Sequence, residues 1–102
     1  MFGSGKKYPD VLDKFVARAI TTESEVEVVV AEEGRIQGYV VGFDSDWVQI
    51  ARTTDLRMIV LSKDKILSYS KTGSGLENLD KKKSGRVRSW SHSITKKAKE
   101  FL

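Results

Sequence analysis

Chemistry in this chain, if present, rests on cations, amides and aromatic rings rather than on nucleophiles or metal ligands. There is no Cys, and His92 is the one imidazole in 102 residues. Thiolate sites and disulfides are therefore excluded, and a His-based metal site or triad within one chain has no material. The acidic residues are numerous, but none stands in a recognisable pattern with a base, nucleophile or metal motif. No cofactor is expected. What remains is non-covalent recognition. Arg35 and Gln37, beside Ile36, make a pair in which an amide can bond a base edge and a guanidinium a phosphate. A half-exposed alternating strand produces the same triplet by chance. Trp47 can stack on a base, with roughly 1–3 kcal/mol per stacked base, or fill a core position. Lys63 can meet a phosphate or stand solvated in a turn. Lys81, Lys82, Lys83, Arg86 and Arg88 are followed by Trp90, Lys96, Lys97 and Lys99. Such a segment binds polyanions without sequence preference, is merely solvated, or packs back through Ile94, Phe101 and Leu102.

The charge is unevenly placed. Residues 1–70 hold 9 Lys/Arg and 11 Asp/Glu, a net of −2, whereas residues 71–102 hold 9 Lys/Arg and 3 Asp/Glu, a net of +6. The chain pI of about 9.4 thus describes the C-terminal third rather than the whole. No apolar run approaches the roughly 20 residues of a membrane span, and the first residues lack a stretch of signal-peptide length. The expectation is a soluble, cytoplasmic protein without a membrane partner.

These side chains are positioned by a short helix and five short strands. Pro9 suits a first helical turn, and Val11, Leu12, Phe15, Val16, Ala19 and Ile20 recur at helical spacing to about residue 20. Val26, Val28 and Val30 alternate as a first strand, and Glu32-Glu33-Gly34 is a hairpin turn. Residues 35–43 form a second strand whose Gly38 and Gly42 suit a sharp bend. Asp44-Ser45-Asp46 turns the chain into a third strand over 47–52. A fourth strand covers 57–61, with the apolar run Met58, Ile59, Val60 and Leu61, and a fifth covers 66–70. Lys71 to Gly75 reads as linker, and a short amphipathic helix over about 93–102 closes the chain. The resulting division is an N-terminal tail over 1–8, one domain over 9–70 and a basic C-terminal extension over 71–102.

The run Arg35-Ile36-Gln37-Gly38-Tyr39-Val40-Val41-Gly42-Phe43-Asp44 resembles the first Sm motif. Leu61-Ser62-Lys63-Asp64-Lys65-Ile66 resembles the second, in the form found in bacterial Hfq. The resemblance covers residues 9–70. It implies a mainly β, Sm-like fold: an N-terminal α-helix followed by a strongly bent five-stranded antiparallel open barrel. It also implies a homo-oligomeric ring in which strand four of one subunit pairs with strand five of the next. Met58, Ile59, Val60, Leu61, Leu67 and Tyr69 then belong to the subunit interface. An apolar run on a free edge is an aggregation hazard, which a closing head-to-tail contact removes; the other reading of the run is the most buried strand of a monomer. Family members bind single-stranded RNA without catalysis. In the resemblance Arg35, Ile36 and Gln37 fall on a purine-binding face. The pore pocket would use positions 46 and 48, and Asp46 and Val48 suit neither stacking nor base reading. Asp64 stands where Hfq has a His beside its Lys. Two functions follow: an RNA-binding ring, or a ring that serves as a structural or protein-interaction module without RNA.

Overall fold

A computed structural model describes residues 9–102. The expected tail over 1–8 lies outside the described residues. Helix α1 spans Pro9–Thr21. Leu12, Val16, Ala17, Ala19 and Ile20 are buried on one side, while Val11 faces outward. The hydroxyls of Thr21 and Thr22 both donate to the Arg18 carbonyl, which also accepts from the Thr22 backbone amide at 3.0 Å where the helix ends.

Strands β1 (Ser24–Val30), β2 (Gly34–Phe43), β3 (Trp47–Arg52), β4 (Met58–Ser62) and β5 (Ile66–Gly75) form one antiparallel sheet in the order β4-β3-β2-β1-β5. The β1–β2 hairpin turns through Glu32 and Gly34, both at positive φ (75° and 80°), which glycine tolerates at no steric cost. At Gly38 an added Cβ would sit 2.3 Å from the Ala51 carbonyl oxygen, so β2 and β3 approach as closely as a bare backbone permits. A register shift between Val40 and Gly42 bends β2 further. Together these produce the expected bent, open barrel of the Sm-like fold.

The structure departs from the expected elements in two places. Strand β5 does not stop at Ser70. It continues beside β1 to Gly75, with Lys71 opposite Val26 and Gly75 opposite Ser24. The segment read as linker is strand because β1 offers free backbone partners, and local composition carries no record of that. Likewise the C-terminal helix, α2, spans Lys81–Lys99 rather than starting near Ser93. The Asp80 carboxylate caps it by accepting from the Lys83 amide at 2.8 Å. Leu102, expected on the packed side, is exposed, whereas Ile94 and Phe101 do pack against the core.

The core has two parts. The larger lies between α1 and the inner face of the sheet, around Val16, Val26, Val28, Val40 and Ile50, and takes Ala98 from the end of α2. The smaller lies on the other face of the sheet. There Tyr39, Val41, Ala51 and Leu56 meet Leu76 and Val87 beneath the first half of α2. Helix α2 therefore clamps both faces at once. The Arg88 guanidinium adds a two-pronged contact to Glu23 at 3.0 and 3.2 Å.

Candidate nucleic-acid interface

Arg35 and Gln37 leave the β1–β2 turn on the solvent side of β2, where the register sets Gln37 opposite Glu27 of β1. The Glu27 carboxylate serves both: Arg35 Nε lies 3.2 Å from Oε2, and Gln37 Nε2 donates to Oε1 at 2.9 Å. Gln37 thus commits one amide N–H to Glu27, and, on this exposed residue, the second N–H and the carbonyl oxygen, an acceptor, remain for a ligand. Ile36 does not share this surface. It is 7% exposed and packs in the main core, with Val28 opposite it in the sheet. Period-2 alternation sends the middle residue of such a triplet inward. Glu27 escaped sequence reasoning, although counting back from the Glu32-Glu33-Gly34 turn would have paired it with Gln37.

Lys63 is not solvated. Its side chain is 9% exposed, and Nζ donates to Asp13 of α1 at 2.5 Å. Its backbone amide donates to the Asp46 carbonyl at 3.0 Å. The residue fastens the turn between β4 and β5 to the helix and to the β2–β3 turn. Val48 is buried against the β4 partner Leu61, and Asp46 is exposed beside it. Trp47 is half-buried, with its ring flanking Gly42. In the same turn the Ser45 backbone amide, donating to Asp44, holds that carboxyl below the usual range.

The cations of α2 fall into two sets. Arg88 is paired with Glu23, and its guanidinium pKa is raised by that hydrogen bond. Lys97 Nζ donates to the Phe43 carbonyl at 3.0 Å and lies 4.8 Å above the Phe43 ring. Lys83 is half-buried. By contrast Lys81, Lys82, Arg86, Lys96 and Lys99 are exposed, and no acidic residue occurs between Asp80 and Glu100.

The expected interface residues divide by strand alternation. Met58 and Val60 (62% exposed) point outward from β4, while Ile59 and Leu61 turn into the core. On β5 Leu67 is 69% exposed. Tyr69 packs its ring on Phe15 of α1, centroids 4.5 Å apart. A groove of about 450 Å³ runs between α1 and β5, lined by Val11, Lys14, Phe15, Arg18, Tyr69 and Lys71. Both β4 and β5 are edge strands.

Among the described residues no helix is long and apolar enough to cross a membrane. No curated protein matches the chain. A family model described as Hfq-like protein matches residues 3–95, a span that includes α1, all five strands and most of α2. With the motif spacing and the strand order in agreement, the chain belongs to the family of Hfq-like proteins.

Proposed function

We propose that this protein is a non-catalytic, cytoplasmic RNA-binding protein that assembles head to tail into a homo-oligomeric ring. The observation that carries the reading is the pair of free sheet edges. β4 and β5 sit at opposite ends of one sheet, and each presents exposed aliphatic side chains: Met58 and Val60 on one, Leu67 on the other. Soluble proteins seldom leave such edges uncovered. An antiparallel contact between β4 of one copy and β5 of the next would use both. Neighbouring side chains would then enter the groove beside Phe15 and Tyr69. Membership in the Hfq-like family supports the same assembly and the binding of RNA.

RNA contact is assigned to two surfaces. Arg35 and the carbonyl oxygen of the exposed Gln37 would meet a phosphate and a base amino group. The exposed cations of α2 would add an attraction independent of sequence, multiplied by the number of subunits.

The other reading is a ring that serves protein assembly and contacts no RNA. It is favoured by Lys63, whose ammonium is already engaged by Asp13 at the position where the family resemblance expects a pore cation. Light scattering combined with fluorescence titration of oligo-A, oligo-U and mixed single strands at two salt concentrations separates these readings. The RNA reading expects an oligomer that binds oligo-A at least as tightly as oligo-U. An oligomer that binds no strand at about 50 mM salt, where phosphate contacts are strongest, would leave only the second reading.

A further inference from the structure

Helix α2 turns one straight stripe to solvent. Lys82, Arg86, Ser89, Ser93 and Lys96 succeed one another at spacings of four, three, four and three residues, so they lie along one side of the helix, and all five are exposed. Cations occupy both ends of the stripe and small hydroxyl side chains its middle. With a rise of 1.5 Å per residue, Arg86 and Lys96 stand about 15 Å apart along the axis.

The hydroxyls of the helix behave differently on its two sides. Toward the barrel, Ser84, Ser91 and Thr95 donate back to the carbonyls of Lys81, Arg88 and Ser91 at 3.2, 3.4 and 3.0 Å. On the outer side, Ser89 and Ser93 have no hydrogen-bond partner among the described residues, so donor and acceptor both remain available. Of the two rings of the helix, Trp90 packs against the smaller core beneath α2, while the His92 imidazole is exposed beside the stripe rather than in it. The five positions of the stripe itself thus carry cations and hydroxyls and no ring of the kind on which the bases of a single strand usually stack. The helix is also held in place, by Val87 and Ala98 in the core and by the Arg88–Glu23 pair. A rigid row of cations suits a partner whose phosphates are themselves at fixed spacing.

We propose that this stripe binds double-stranded RNA across its minor groove. Lys82, Arg86 and Lys96 meet phosphates on either side, and Ser89 and Ser93 bond the 2′-hydroxyls that line that wide, shallow groove. The inference rests on the RNA reading above and deepens it: three of the exposed α2 cations named there, with Ser89 and Ser93 between them, take a different form of RNA.

Fluorescence anisotropy of the full chain tests it with three probes: an RNA duplex of about 20 base pairs, longer than the roughly 16 that shape-reading domains span, the same duplex as DNA, and single-stranded oligo-A. The RNA duplex is expected to bind more tightly than the DNA duplex. Ser89→Leu with Ser93→Leu keeps every charge and uses a good helix former, but blocks close approach. It should weaken duplex RNA about 10-fold, a difference of about 1.4 kcal/mol, and leave oligo-A within about 2-fold. Lys82→Gln, Arg86→Gln and Lys96→Gln together should reduce the slope of log affinity against log salt for the RNA duplex by about 2–3. Helicity by circular dichroism verifies that both variants fold. Equal binding of the two duplexes, no duplex binding at about 50 mM salt, or a leucine variant that binds duplex RNA like the wild type would overturn the proposal. If oligo-A binds and the duplex does not, the stripe proposal falls while the RNA reading stands; if neither binds, both fall.

Discussion

Lys63 and Asp13 are 50 residues apart in sequence and meet at 2.5 Å with little solvent around either side chain. Removing one partner of so enclosed a pair leaves the other charge without compensation. Lys63→Ala should destabilise the fold by about 3 kcal/mol and leave oligonucleotide affinity nearly unchanged, as urea denaturation and a binding titration would show. The double variant Asp13→Leu/Lys63→Met should recover most of the loss. An unchanged denaturation midpoint with weakened oligo-U binding would mean that the ammonium serves phosphate instead. Tyr39 gives a second test. Its hydroxyl donates to the Gly75 carbonyl at 3.0 Å. Burial, with Glu25 and Glu77 nearby, pushes its pKa from 10.0 to about 12. The fold favours the neutral phenol, so this contribution to stability is complete below pH 10 and is lost as pH rises toward about 12. An absorbance titration should show a late tyrosine step, and Tyr39→Phe should abolish it at a cost of about 1 kcal/mol. A titration whose late step survives Tyr39→Phe, or that has no late step, would contradict the placement. At this scale the sequence exposes Arg35 and Gln37 through alternation, but no local pattern marks the Lys63–Asp13 pair, because its partners are joined only by tertiary structure.

Among the elements, α1 and the first four strands were legible within a residue or two, since apolar period and turn residues agree there. The second half of β5 and the first half of α2 were not. In α2 the inward positions Ser84, Val87, Ser91 and Ala98 include only two apolar side chains, small ones, in a background of Lys, Ser and Gly, so the helical period is faint. The 71–75 segment becomes strand only because β1 is there to receive it. Cutting the chain after Ser70 would therefore remove half of β5 together with buried Leu76, Val87 and Ala98. It would unfold the barrel rather than simply discharge it. Val87→Ala measures the docking of α2 directly. Val87 is 2% exposed in the smaller core, and its truncation should cost about 2 kcal/mol in urea denaturation. No change in stability would mean that α2 does not clamp the sheet in solution.

For the molecule as a whole, the sequence showed an apolar run over Met58–Leu61, and the structure divides it: Ile59 and Leu61 build the core, while Met58 and Val60 remain outside. The run serves the barrel and the edge at once, which is why composition alone left its role open. Placing a charge on that edge without disturbing the core should separate the two roles. Val60→Lys should leave the melting curve of the barrel recognisable but shift light scattering toward one chain, because lysine on an edge opposes strand pairing. An unchanged oligomer would show that the contact lies elsewhere. Native mass spectrometry of the full chain with oligo-A at low salt would read assembly and RNA binding in one spectrum. An RNA-binding ring should appear as a discrete multiple of the 11.5 kDa chain that gains the mass of bound RNA. A species of one chain mass, or an assembly that carries no RNA, would contradict that reading.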